Sequence, residues 1–395
     1  MRFQYLQDFL DRLTGWRVPG NAVSVWLDGR EVFRGQSGFA DLERREPMTP
    51  GHLLNIYSCS KVATVTAGMQ LLERGFFLLD DPVSAYLPAY AAMTVRDPDG
   101  SVRPAKRPVT VRHLFTMTAG LNYDLGSEAV RRARTLTGDR MDTRTVADCL
   151  AGEPLSFEPG AHWQYSLCHD VLAALIEAVS GLRFADYMRE NVFAPLGMNE
   201  TFYHIPAGME ERMAEQYRFV PDGGADSTDV ELQSRGCPSS GGTVVPVGRT
   251  SNGFRLGPDY DSGGAGIVTS VSDYARLCSA LACGGRDPNG ARILSSAAVD
   301  LMRQNQLDPV QLADFNWPQL AGCGYGLGVR TTLDRARGGL LEPDGAFGWG
   351  GAAGATAIAD PARRLGVFYA HHMLNPQEDY YQPRLRNVVC ACLDD

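Results

Sequence analysis

The spacing of apolar positions divides the chain into stretches of different period. Residues 1–16 set Arg2, Asp8, Asp11 and Arg12 among apolar side chains, the pattern of an amphipathic helix. Ala22–Leu27 and Glu31–Gly35 are β-rich runs joined by Asp28-Gly29, which predicts a hairpin closed by a tight primed turn. Val62, Val65, Met69 and Leu72 then recur at helical spacing, with Gly75 as the stop. From Asp80 to about Tyr203 strand signals fade. Thr110 caps a helix beginning Val111-Arg112-His113, Val171–Val179 forms another ended by Ser180-Gly181, and Phe184–Phe193 is a third, stopped by Pro195 and Gly197.

Ile205 to about Gly266 is rich in Gly, Ser, Pro and Asp and has little periodicity. This long loop is expected to return to the first part of the chain and rim the site. Ser270–Gly284 reads as a helix capped by Ser270 or Ser272. The end of the chain is strand-like over Gly324–Thr332, Phe347–Asp360 and Leu365–His371, with Asp360-Pro361-Ala362-Arg363-Arg364 as a turn. Strands at both termini with helices between predict an α+β fold. One antiparallel sheet, flanked by helices, is built from residues 1–79 and 263–395, and residues 80–262 form an inserted, mostly helical domain. A site is expected in the cleft between them.

Composition narrows the classes. The chain of 395 residues can bury a full core, and 37 basic against 46 acidic residues leave a net charge of −9 without a basic run. That balance argues against nucleic acid and anionic membrane as partners. No stretch of about 18 apolar residues is present to span a membrane, and the charged first helix is unlike a signal peptide. Nine scattered cysteines, an odd number, fit reduced thiols and a cytoplasmic protein. Neither Cys-x-x-Cys nor His-x-x-x-His spacing points to a metal, and no cofactor is expected.

Of the 37 basic residues only two are lysines, Lys61 and Lys106. Arginine does not give up its proton in a protein, whereas a buried lysine can be brought to act as a base. Lys61 stands three residues after Ser58, so on a helix the two share a face: a serine nucleophile beside a proton acceptor. In a chain with 21 serines and two lysines, Ser-x-x-Lys arises by chance in about one case in ten. The motif needs company.

That company is an ordered series. Ser58-Cys59-Ser60-Lys61, Thr110–Leu121, Tyr165-Ser166-Leu167, Pro195-Leu196-Gly197-Met198, Ser262–Gly266 and Trp349-Gly350-Gly351 together resemble the serine β-lactamase-like hydrolases: class C β-lactamases, DD-peptidases and family VIII carboxylesterases. The resemblance implies a β-lactamase/transpeptidase-like fold, with Ser58 as the acylated nucleophile and Lys61 and Tyr165 sharing the general-base work. It also implies an oxyanion hole from the backbone N–H groups of Ser58 and Ala352. Each such donor is worth on the order of 10²–10³ in rate.

Two departures direct the substrate. Trp349 stands where relatives carry the Lys or His that holds a substrate carboxylate, and Leu167 replaces an Asn that would bond a substrate amide. Both resemble the esterase branch and favour small-molecule esters with short acyl groups. Trp349, Gly350, Gly351 and Leu167 are the expected substrate contacts. Amide chemistry on the same site, as a β-lactamase or D-amino-acid peptidase, and acyl transfer are the alternatives. An α/β-hydrolase using His371 or His372 is disfavoured, because the chain has no Gly-x-Ser-x-Gly.

Overall fold

A computed structural model describes residues 1–221 and 241–393. The first helix, α1 (Gln4–Trp16), buries Leu6, Phe9, Leu10 and Leu13, one face at helical spacing. The predicted hairpin follows as β1 (Gly20–Leu27) and β2 (Arg30–Asp41), and the short β3 (Glu46–Pro47) pairs with β2. At the hairpin tip Asp28 and Gly29 have φ of 50° and 76°, the pair of left-handed residues a type I′ turn requires.

Next comes α2 (Ser60–Glu73), buried over almost its whole length. Its end leaves the helix through Gly75 at φ 75°. The middle of the chain is mostly helical, as expected. Thr110 precedes the helix Val111–Thr116, and its backbone N–H donates to His113 Nδ1 at 3.1 Å. Helix α3 (Cys168–Ser180) ends on left-handed Gly181, and Phe184–Met188 runs on through a π turn to left-handed Gly197. A small hairpin, Thr94–Arg96 with Val102–Pro104, interrupts this region and was not anticipated.

After α4 (Val271–Ala282), whose first turn is capped by the Ser270 hydroxyl accepting from Asp273 N–H, the chain returns to the sheet. Its strands are β4 (Cys323–Tyr325), β5 (Arg330–Thr332), β6 (Phe347–Gly351), β7 (Ala355–Asp360) and β8 (Leu365–His371). The order β4-β5-β6-β7-β8-β1-β2-β3 is one eight-stranded antiparallel sheet made from both ends of the chain. The single strand expected over Gly324–Thr332 is two, turned back on itself by Gly328 at φ 82°.

Alternation sorts the central strands. Val23, Val25, Ile358, Val367 and Tyr369 face α1 and a C-terminal helix, α5 (Glu378–Ala391). Ala22, Ala357, Phe368 and Ala370 face the core built around α2 and α4. At Gly366 a Cβ would come within 2.3 Å of the Ser279 backbone nitrogen, so glycine sets how closely α4 lies on the sheet. A sheet covered on both faces reads as apolar runs rather than as alternation.

Two readings of the sequence need correction. The stretch 205–266 is not loop throughout: Tyr217–Pro221 pairs with Gly242–Pro246 and, in parallel, with Met373–Leu374. Tyr217 and Phe219 pack with α1 and α5 rather than with the helices of the middle of the chain. Residues 222–240 of that stretch lie outside the described residues. The chain end is helical, not only strand-like, because α5 follows the last strands despite Pro383 within it.

Candidate active site

Ser58 sits two residues before α2, in a 3₁₀ turn over Tyr57–Cys59, rather than in the helix itself. The approach is fixed by a short strand, Leu53–Asn55, paired with Val268–Ser270, and by Ile56 N–H donating to Ile267 O at 3.2 Å. Tyr57 then takes φ of 44°, which costs a non-glycine residue on the order of 1–3 kcal/mol. Its buried hydroxyl holds the turn by reaching Gln216 Oε1 (3.1 Å) and Ser251 O (3.3 Å). Cys59 ties the other side, its thiol donating to Trp349 O at 3.3 Å, so the turn is pinned against β6. Ser58 itself opens into a cleft.

Lys61 is fully buried, and its Nζ lies 3.3 Å from Ser58 Oγ, 3.2 Å from Tyr123 Oη and 2.8 Å from Gly264 O. Burial lowers its pKa from 10.5 to about 7, opposed in part by the Asp170 carboxylate. A substantial fraction is therefore neutral amine at neutral pH, with a lone pair for a serine proton. Asp170 in turn is packed behind Gly264. Its Oδ1 accepts from Ser262 Oγ (2.7 Å), Tyr260 Oη (2.9 Å) and Gly264 N (3.3 Å).

Tyr165 reaches the same point from the segment before α3. Its hydroxyl hydrogen-bonds the Ser58 side chain and accepts from the Trp349 indole N–H at 3.3 Å, while Lys61 Nζ lies 4.6 Å from its ring centroid. Burial raises the Tyr165 pKa well above 10 in spite of both hydrogen bonds. At neutral pH it is a phenol, able to donate and accept but not a standing tyrosinate. Its ring stacks on Tyr123 on one side (5.4 Å between centroids) and Trp349 on the other (5.7 Å).

The glycine strand behaves differently residue by residue. Trp349, Gly350 and Ala352 line the cleft with Ser58. Gly351 faces the nucleophile turn instead: a Cβ there would lie 2.2 Å from Ile56 O, so glycine is what lets β6 close on Ser58 and bring Ala352 beside it. Leu167, expected at the substrate, is buried in the core at the start of α3 and does not line the cleft. An apolar residue there is explained by core packing. His371 and His372 do not line it either. The first bonds Tyr369 Oη through Nδ1 (2.9 Å), and the second sits between the carbonyls of Glu215 and Phe39.

The cleft measures about 660 Å³. Around Ser58 its wall is mostly aromatic and apolar, from Tyr123, Leu125, Phe254, Trp317, Leu320 and Trp349, with Asp124 between Tyr123 and Leu125, and Phe254 comes from the stretch expected to rim the site. Its remaining wall is polar, with Gln319, Arg330, Glu378 and Gln382. Sequence reasoning missed Tyr123, Trp317 and the α5 residues. A second tyrosine near Lys61 has no spacing signature, and Trp317-Pro318 is separated from Trp349 by more than thirty residues of chain. Among the described residues no group of His, Cys, Asp and Glu is placed to hold a metal, and no helix is long and apolar enough to cross a membrane. The eight cysteines among the described residues are unbridged.

A serine, a buried lysine and a tyrosine at the edge of an antiparallel sheet define a class, the serine hydrolases that work without a histidine triad. Residues 6–391 match the Beta-lactamase family model, and the chain belongs to that family. It is 32% identical over 363 residues to Esterase EstB of Burkholderia gladioli, covering 89% of this chain and 85% of that protein. Protein Rv1367c of Mycobacterium tuberculosis is 29% identical over 365 residues, with the same coverage. Among solved structures, EstCE1, described as a hydrolase with promiscuous acyltransferase activity, superposes with a TM-score of 0.76 at 25% identity over 98% of both chains. The protein is a serine hydrolase of this family.

Proposed function

We propose that the protein is a carboxylesterase that cleaves short-chain esters through an acyl-enzyme on Ser58. The observation that carries this reading is Trp349. At the strand position facing Ser58 it presents an indole, stacked on Tyr165 and held by its N–H, where a substrate carboxylate would need a cation. An apolar wall there suits an ester's hydrocarbon and leaves a carboxylate unpaired, at a cost of several kcal/mol on desolvation.

In this reading Ser58 Oγ attacks the ester carbonyl while its proton passes to the neutral Lys61 amine. The carbonyl oxygen becomes an anion stabilised by the N–H groups of Ser58 and Ala352. Collapse breaks the bond to the alkoxide, which leaves with a proton from Lys61 relayed through the Tyr165 hydroxyl. Water enters by the same path in reverse and frees Ser58. Acyl transfer is the same sequence with an alcohol in place of water, and the description of EstCE1 keeps that second reading in view.

The test compares initial rates on p-nitrophenyl butyrate and a chromogenic cephalosporin for wild type and Ser58→Ala. The expected result is ester turnover far above cephalosporin turnover, abolished by the substitution. Cephalosporin turnover that equals or exceeds the ester rate would overturn the reading.

A further inference from the structure

The catalytic scheme uses one end of the cleft and leaves unexplained a buried carboxyl in the wall of the other. Glu378, the first residue of α5, lines the cleft and is only 8% exposed. It reaches this position because β6 has glycine beside it: a Cβ on Gly350 would lie 2.4 Å from Gln382 Nε2 and 3.0 Å from Glu378 Oε1. Each Glu378 oxygen takes one amide donor, Oε2 from Gln319 Nε2 and Oε1 from Gln382 Nε2, both at 3.2 Å. Neutral amides orient a carboxylate but do not offset its charge, and acceptor capacity is left over.

The surroundings do not supply the missing cation. Among the described residues no lysine or arginine lies within ion-pair distance of Glu378. The two nearby buried guanidiniums, Arg330 and Arg386, both bond Glu342 Oε1 at 3.0 Å. Asp379, next in the chain, has Arg384 as its nearby cation, so Glu378 is the carboxyl of this group that no guanidinium faces. Burial, with Asp379 adding to it, raises the Glu378 pKa to about 7. The second observation is independent of charge. Gln319, 5% exposed and lining the same cleft, has its Oε1 buried without a hydrogen-bond partner. Its amide cannot be turned over to cure this, because Nε2 is the atom that donates to Glu378. Two buried acceptors with capacity left over thus share this wall, where a ligand's donor would find both. Arg330 Nη2 is a buried donor also left over, and it makes a carboxylate the competing ligand.

We infer that this wall is a subsite for a protonated amine, and that the preferred esters carry an ammonium group on an aliphatic arm remote from the scissile carbonyl. The inference rests on the esterase reading for the word ester but not for the binding. An ammonium would donate to Glu378 and Gln319 Oε1 while its arm lies along Trp317, Leu320 and Trp349. A charge-assisted pair shielded from water is far stronger than the same pair at the surface.

The test measures binding without turnover, by calorimetry on the Ser58→Ala protein at about pH 8, where an alkylamine is still protonated. The probes are n-hexylammonium, n-hexanol and hexanoate. Hexylammonium is expected to bind at least about tenfold more tightly than hexanol, with hexanoate weakest. That ratio corresponds to about 1.4 kcal/mol. In a second protein with Glu378→Gln added, ammonium and alcohol should fall within about threefold of each other, a loss of at least about half of that difference. Equal binding of ammonium and alcohol in the first protein, tightest binding of hexanoate, or an unchanged ammonium preference after Glu378→Gln would each overturn the proposal. The order of the three probes in the first protein decides the matter even where Glu378→Gln folds poorly. Since no ester is cleaved in the assay, its outcome is separate from that of the esterase test.

Discussion

Replacing Lys61 with methionine should abolish turnover and at the same time stabilise the fold at neutral pH. Lys61 is fully buried, and its pKa falls from 10.5 to about 7 chiefly because its charged form loses hydration. Between those two values the unfolded chain binds a proton that the folded chain has shed, so wild-type stability rises with pH across that window. At about 1.4 kcal/mol per tenfold, the penalty carried by wild type is about 4 kcal/mol at pH 7 and about 2 kcal/mol at pH 9. Lys61→Met removes the penalty but strands the Gly264 carbonyl, which accepts from Nζ at 2.8 Å, at about 1–3 kcal/mol. The net expectation is a variant about 1–3 kcal/mol more stable than wild type at pH 7, an advantage that shrinks by about 2 kcal/mol by pH 9. Urea unfolding of both proteins at the two pH values measures this directly. A stability difference that does not change with pH would mean that Lys61 keeps an ordinary lysine pKa. It could not then be the base at neutral pH, and the mechanism would need another.

The same group predicts that kcat/KM for an ester rises with pH and levels off with a midpoint near 7; a profile flat from about pH 5 to 9 would exclude the lysine. Gly264→Ala places a Cβ 2.5 Å from Asp170 Oδ2 and 3.2 Å from Lys61 Nζ, and should cost on the order of 10² in kcat, read by steady-state kinetics. Tyr123→Phe removes one neutral hydrogen bond to Lys61 and should lower kcat/KM by roughly fivefold, about 1 kcal/mol, with KM little changed. Glu342→Gln leaves Arg330 and Arg386 buried without their shared carboxylate. It should cost about 3–5 kcal/mol in urea unfolding, since removing one member of a buried ion cluster exposes the full desolvation penalty of the rest.

Ser58, Lys61 and the glycine strand, which the structure brings together at one cleft, could be picked out in the sequence because each is carried by a short local pattern. Ser58 and Lys61 are three apart, and Trp349-Gly350-Gly351 occupies a few residues of one strand. The hairpin tip was legible for the same reason: Asp28-Gly29 determines its own backbone. What was not legible depends on distant chain. Tyr123 comes to Lys61 only when the helix Val111–Thr116 packs against α2 and α3. Glu378 and Gln382 reach the cleft only because α5 crosses the end of β6. Helix α5 itself was obscured by Pro383, which reads as a breaker yet is tolerated where tertiary packing holds Tyr381, Leu385 and Val389 in the core. Leu167 shows the converse error, a residue placed at the substrate by its neighbours in sequence and drawn into the core by its own side chain.

The central claim is that Ser58 carries the acyl group. Mixing the protein with p-nitrophenyl butyrate, quenching in acid within the first turnovers and mapping peptides by mass spectrometry tests it without inference from rates. The account predicts one butyryl group per chain, on the peptide containing Ser58, and none in Ser58→Ala. A butyryl group on any other residue, or ester turnover that survives Ser58→Ala, would contradict it.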